Sequence, residues 1–341
     1  MKTLVLSKLD LPALVRELQK TSRVIGPKRK DTQHVFDEIR DPEELALEYP
    51  TTVLPPARQL FPHREALVRF RRDDVKATQE VVEAQPLVLL GVHPCDVQGI
   101  NILDEIFSDS PQDANYLARR AGARIIALEC ARPCGAYNLC FDKGTYRVEW
   151  GYDLLLVDLG DRYFIFTRTA AGEAMIEGLG CLKPATPADR EALGKMREMQ
   201  AASFKPRLTG PVNRLPSALK EAYDDLLWEA IGRRCLSCET CTMVCPTCYC
   251  FDTTDEVSFD LNEGHRCRLW DSCQSSEFAV VAGGENFRGK AAHRQRHRLF
   301  KKEVFQFEKY GRSACVGCGR CSAQCVASIH LTDMYNQVLG G

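Results

Sequence analysis

Two cysteine runs constrain this chain more than any other feature: CLSCETCTMVCPTCYC at 235–250 and CVGCGRCSAQC at 315–325. Cys235, Cys238, Cys241 and Cys245, followed by Pro246, have the spacing C-x2-C-x2-C-x3-C-P, and Cys315, Cys318, Cys321 and Cys325 repeat it. In bacterial ferredoxin runs of this form three thiolates hold one [4Fe–4S] cube and the fourth crosses to a second. Two residues between ligands let one turn of backbone wrap a cube with its amide N–H groups toward the sulfides. The fourth thiol lies too far along to close on the same cube. The expected sets are therefore Cys235, Cys238, Cys241 and Cys325 for one cluster, and Cys315, Cys318, Cys321 and Cys245 for the other. The competing reading is zinc, which also takes C-x2-C pairs. Zinc closes with four ligands and has no use for the regular third and fourth cysteines of each run. Val326 stands after Cys325 where the run usually has proline.

Composition narrows the setting. The 341 residues include 17 cysteines, yet the chain is too long to need disulfide staples, and its start, MKTLVLSKLD, reads as a poor export signal. Ligation in a reducing, cytoplasmic setting is the expected reason to keep so many thiols. A formal net charge of −1 gives no general attraction to nucleic acid or acidic membranes. The longest apolar run, LVLLGV at 87–92, is too short to span a bilayer and reads as a buried strand.

The apolar pattern divides the chain into an α/β amino-terminal domain (1–182), a linker (183–215) and an α-helical, ferredoxin-like dicluster domain (216–341) with an insert at 251–312. Residues 11–20 read as a helix. PLVLLGV is followed by the loop HPCD and a helical segment, and ARIIALEC repeats the strand pattern. YDLLLVDLG and RYFIFTRT read as a hairpin, AAGEAMIEGL as a short helix, and the linker as a helix plus extended chain. In SALKEAYDDLLWEAIGRR, Leu219, Ala222, Tyr223, Leu226, Leu227, Ala230 and Ile231 share one face of an expected single helix.

Four more cysteines fall in the α/β part. Cys95 follows one strand, Cys130 follows the next, and Cys134 and Cys140 continue the loop ARPCGAYNLC. Loops at the carboxyl ends of strands converge on one sheet edge, where ligands bind. Cys95, Cys130, Cys134 and Cys140 are thus the expected ligands of a third cube, the competing reading being small buried hydrophobes.

GVHPCD, CPTCYCFD, RLWDSC, AGGENFRGK and RHRLFKK, taken with CVGCGRC, resemble an iron–sulfur protein family. It serves cytoplasmic nickel–iron hydrogenases, as the sulfhydrogenase β subunit, and anaerobic sulfite reductases, as their iron–sulfur component. The likeness runs from about residue 86 to 335. It implies a subunit without a substrate site of its own, relaying electrons between a flavoprotein that handles NAD(P)H and a hydrogenase or reductase subunit. The eight cysteines of the two runs match the family's ferredoxin ligands, and Cys95 and Cys130 match its upstream cysteines. Cys134 and Cys140 are spread more widely than the tight pair common there, and His93 stands where arginine is common.

Other features suggest less. Cys248, Cys250, Cys267 and Cys273 read as thiols packed near the cubes, or as an extra metal site; Cys181 reads as a core thiol. RGKAAHRQRHRLFKK (288–302) carries seven Lys/Arg and reads as a solvated helix face or a docking patch for an acidic partner. No glycine-rich dinucleotide loop and no recognisable acid–base pair is present, so no flavin or nicotinamide site and no catalytic residues are expected, in keeping with the electron-transfer subunit that the resemblance implies. The rivals are a catalytic protein with a substrate-reducing cluster in the amino-terminal domain and a zinc-stabilised scaffold.

Overall fold

A computed structural model describes residues 2–340. Twelve strands form two sheets: β1 (Thr3–Ser7), β2 (Arg23–Lys30), β3 (Gln33–Glu38), β4 (Arg64–Arg71), β5 (Gln79–Glu80), β6 (Leu87–Val92), β7 (Ala123–Leu128), β8 (Leu154–Asp158), β9 (Arg162–Thr167), β10 (Leu182–Pro184), β11 (Phe251–Val257) and β12 (Glu263–Trp270). Eight of them make one mixed sheet in the order β10-β1-β9-β8-β7-β6-β2-β3. Its centre, β2, β6, β7 and β8, is parallel, whereas β1, β3, β9 and β10 pair antiparallel at the flanks.

LVLLGV is the buried strand expected, with every residue of β6 inside. Parallel neighbours need crossover connections, and between β6 and β7 these are the helices Pro94–Ser108 and Ala114–Gly122. The crossover places Cys95 in the first turn of a helix just past β6, and Cys130 two residues past β7. Both therefore lie at the carboxyl edge of the parallel strands. β8 and β9 form the expected hairpin, turning at Gly160 (φ +104°) and Asp161. The helix Leu11–Gln19 also matches expectation.

The structure departs from these expectations in three places. The expected single helix at 217–234 is two, Leu215–Glu221 and Leu227–Arg234. Asp225 Oδ1 accepts from Leu227 N–H at 2.7 Å, and the Trp228 indole donates to Ala222 O at 2.7 Å. These bonds stabilise a break that leaves Leu226 81% exposed, off the buried face that helical spacing assigned to it. Within 183–215, the helix Pro187–Ser203 sends Leu193 and Met196 into the main core. Within 251–312, the hairpin β11–β12 pairs with β4, and Arg268 bridges Glu65 and Asp113. The carboxyl-terminal part thus lends two strands to a sheet whose other two come from the amino-terminal part.

A second apolar core gathers Leu219, Trp228, Ile231, Leu299, Phe300 and Tyr335 around the cysteine runs. A third and smaller core joins Cys95, Ile102, Cys140, Phe204, Ala314 and Val316 across the two parts. Beside it Lys143 pairs with Glu303 at 2.8 Å, and Arg312 pairs with Glu105 at 2.7 Å.

Candidate metal centres

The two runs fold alike. Each carries two left-handed residues, then a one-turn helix that holds the third cysteine: Ser237 (φ +51°) and Glu239 (φ +65°) before Thr240–Met243, and Gly317 (φ +65°) and Gly319 (φ +79°) before Arg320–Ala323. Left-handed positions turn successive N–H groups into one concavity, a nest suited to anions. Holding Ser and Glu there is strained, and such strain concentrates at functional sites. Glycine is required in the second run for a further reason. A Cβ on Gly317 would lie 2.6 Å from Cys140 N, because the loop that carries Cys140 packs on that backbone. Leu139 N–H donates to Gly317 O at 2.7 Å in the same contact.

Three cavities are lined by the three expected cysteine sets. The first, with about 430 Å³ of empty space, is lined by Cys235, Cys238, Cys241 and Cys325. The middle one, about 570 Å³, is lined by Cys315, Cys318, Cys321 and Cys245. The third, about 270 Å³, is lined by Cys95, Cys130, Cys134 and Cys140. Cys241 borders both the first and the middle cavity, and Cys318 borders both the middle and the third. The three therefore stand in a row. Among the described residues no three His, Cys, Asp or Glu side chains converge as one metal ion would require. The thiols instead ring each cavity from several sides.

The donor chemistry fits an iron–sulfur cluster. Burial pushes the thiols of Cys241 and Cys140 up to about 12 and that of Cys315 up to about 11, and it also raises Cys95, Cys130, Cys134, Cys318 and Cys321. Such thiols become thiolates only when a cation enters among them. The walls already hold cations placed to offset an anionic cluster. Burial opposes the charge on Arg298, but the facing Cys241 and Cys321 raise its pKa above the ordinary value. Lys302 is raised by Cys245, Cys248 and Cys315 against the same opposition, and Arg320 by Asp96 and Cys318.

These cations correct the reading of the basic run. The helix Ala291–Phe300 and the π-helical turn Lys301–Phe305 turn one stripe of it inward. Arg294 Nη2 donates to Ser237 Oγ at 2.8 Å, Gln295 Nε2 donates to Cys235 Sγ at 3.0 Å, Arg298 borders the first two cavities, and Lys302 Nζ donates to Thr247 Oγ1 at 2.7 Å. Arg294 and Arg298 are buried, so this stripe is neither a solvated face nor a docking patch. The i, i+4, i+8 spacing of Arg294, Arg298 and Lys302 was the signal available in the sequence. Arg320 was likewise missed. It is 2% exposed, donates to both Asp96 oxygens at 2.6 and 2.7 Å, and lies between the middle and third cysteine sets, acting on Cys318 and Cys95.

The spare thiols separate. Cys248 borders the middle cavity and hydrogen-bonds with Cys245. Cys250 and Cys273 hydrogen-bond with each other; that bond draws Cys273 down to about 6, with burial opposing and Gln274, Arg298 and Lys302 assisting. Cys267 lies apart on β12, opposite Thr254 and 3.8 Å from Arg64 Nη2. Cys181 packs against the main core.

Residues 234–329 match the family described as a 4Fe-4S dicluster domain. The chain is 33% identical over 331 residues to sulfhydrogenase 2 subunit beta of Pyrococcus furiosus, covering 97% of this chain and 96% of the relative. No solved structure matches the chain. No helix among the described residues is long and apolar enough to cross a membrane. Identity at that level along nearly the whole length, joined to a 4Fe-4S dicluster domain that spans both cysteine runs, places the chain in the sulfhydrogenase β-subunit family of iron–sulfur proteins.

Proposed function

We propose that the chain is the electron-relay subunit of a hydrogenase complex and holds three [4Fe–4S] clusters in line. Cys235, Cys238, Cys241 and Cys325 would hold the first, Cys315, Cys318, Cys321 and Cys245 the second, and Cys95, Cys130, Cys134 and Cys140 the third. The observation that carries this reading is the sharing of wall residues, Cys241 between the first two cavities and Cys318 between the last two. When bound, such clusters supply one-electron chemistry at potentials set by burial, sulfur hydrogen bonds and local charge.

The chain's own residues do the rest. The Gln295 side-chain amide donates to Cys235 Sγ and the Ile329 backbone N–H to Cys325 Sγ, bonds of the kind that favour the reduced state. Arg298, Lys302 and Arg320 hold positive charge where electrons would reside. Leu139, Leu299 and Leu331 exclude water from the middle cavity. The row has an opening at each end. Cys238 is exposed between Leu236 and Val326, themselves exposed apolar side chains. At the other end, Cys130 and Cys134 also border a wide cleft with Tyr49, His93 and Met199.

Two exits suit two partners, a flavoprotein that exchanges electrons with NAD(P)H and a hydrogenase subunit. The name of the Pyrococcus furiosus relative supports the second of these. In this reading the α/β unit of 1–182 continues into 183–215, whose strand β10 and helix Pro187–Ser203 join its sheet and core, and a ferredoxin-like unit spans 216–341, supported by the matching folds of the two runs. A cytoplasmic setting belongs to it, since all seventeen cysteines are unpaired and exposed clusters need a reducing compartment. A substrate-reducing third centre would need an open position on its iron, and the four cysteines lining that cavity favour a relay instead.

Iron and acid-labile sulfide, counted on protein purified without oxygen, test this reading. About twelve of each per chain is expected for three cubes, falling to about eight in Cys140→Ala. About eight in the unsubstituted protein would refute the third centre.

A further inference from the structure

The hairpin β11–β12 is flanked by two cysteines that line none of the three cavities. Phe251 pairs with Trp270, and Asp271 N–H donates to Cys250 O at 3.0 Å, so the hairpin closes with Cys250 on one side and Cys273 just past the other. The closure brings the two thiols to face each other, each the first influence on the other's proton. Cys273 is 8% exposed, whereas Cys250 is only partly covered.

The turn that carries Cys273 is tightly fixed. The Ser272 and Thr242 hydroxyls bond at 2.7 Å, and Gln274 Nε2 donates to Arg294 O at 2.9 Å. These bonds tie the pair to the first cysteine run and to the cationic helix. Gln274 itself borders the first cavity, and Cys248, just ahead of Cys250 in the chain, borders the middle one. The pair thus sits behind the wall that separates those two cavities, facing Arg298 and Lys302.

Two facing thiols suit dithiol chemistry, in which one thiolate attacks the other sulfur directly. We propose that Cys250 and Cys273 form a reversible disulfide that stores two electrons beside the relay. Reduction breaks the S–S bond, takes one electron from each of two reduced clusters and two protons from solvent reaching Cys250, and leaves two thiols. Oxidation reverses each step, returning the electrons to oxidised clusters and the protons to water. A store of this kind lets a wire that moves single electrons match partners that exchange them in pairs. The proposal rests on clusters occupying the first and middle cavities.

The test is reductive titration of the cluster-loaded protein under argon after mild oxidation, with iron counted and cysteines trapped by alkylation and mapped by mass spectrometry. The unsubstituted chain should take up two electrons beyond its clusters. Cys250 and Cys273 should pass from a linked peptide to two alkylated ones. Cys250→Ser and Cys273→Ser should keep full iron and lose both extra electrons, and Cys267→Ser should change nothing. Full iron with no extra uptake overturns the store alone, and extra uptake that survives both substitutions does the same. Iron loss in either variant makes the residue a cluster ligand and also overturns it. An unsubstituted protein without iron overturns the relay, and the store with it.

Discussion

Arg320 offers the sharpest test of how the amino- and carboxyl-terminal parts are joined. Its guanidinium makes four hydrogen bonds, to both Asp96 oxygens, to Thr52 O at 2.8 Å and to Thr52 Oγ1 at 3.2 Å. Asp96 is fully buried. Arg320→Met therefore strands three acceptors: two carboxylate oxygens and one carbonyl. Thr52 Oγ1 still donates to Leu54 O. Removing one member of a buried ion pair costs about 3–5 kcal/mol, most of it the charge left behind. At about 2 cal/mol/K of unfolding entropy per residue, this lowers Tm by about 4–7 °C for a chain of this length. Asp96→Leu added to Arg320→Met removes the stranded charge. Apolar replacement of a buried pair is often near neutral, so most of the loss should return. The single variant should also lower the potentials of the middle and third centres. A unit charge within about 10 Å at an effective dielectric near 20 is worth about 1.5 kcal/mol, on the order of 60 mV for one electron. Thermal unfolding by circular dichroism and EPR-monitored redox titration, both without oxygen, measure the two effects. A single variant within about 1 °C of the unsubstituted protein would refute the reasoning, as would a double variant no more stable than the single.

Gly317→Ala should lose iron from the middle and third centres, because its Cβ meets the backbone beside Cys140 at a left-handed position; iron analysis decides, and full iron content would refute the close approach. Lys302→Met should keep its iron and shift the middle centre's potential down by some tens of mV, with Lys302→Arg smaller in effect; EPR-monitored titration reads both. His297, held at about 4 by burial and then by Arg288 and Lys301, binds a proton more readily unfolded than folded. Its folded pKa is depressed, so its stability contribution is full above pH 6.5 and is lost as pH falls toward 4. His297→Gln should flatten that part of the Tm–pH profile, and an unchanged slope would refute the assignment.

Where the sequence was informative, a local rule governed the outcome. β6 is continuously apolar because both its faces are covered, and the β8–β9 hairpin turns at a glycine free to take φ +104°. The spacing of the two runs likewise anticipates the cavity lining, including the exchange of Cys245 and Cys325 between sets, since that depends on how far a short stretch of backbone reaches. Periodicity failed in two ways. Across 217–234 it cannot register a break that Asp225 and Trp228 stabilise through bonds to Leu227 and Ala222 close by, and it cannot tell that β11–β12 finds its third strand in β4, far upstream in the amino-terminal part.

By itself, then, the sequence determined the inventory of thiols: which recur, at what spacing, and that an α/β sheet edge carries four more. Tertiary structure alone decided that the three cysteine sets stand in a row, sharing Cys241 and Cys318. It alone turned a basic run inward as Arg294, Arg298 and Lys302, and paired Arg320 with Asp96 across 224 residues. Spacing encodes the reach of neighbouring ligands. The burial and the partners of a charge depend on what folds over it, and that comes from chain far away in sequence.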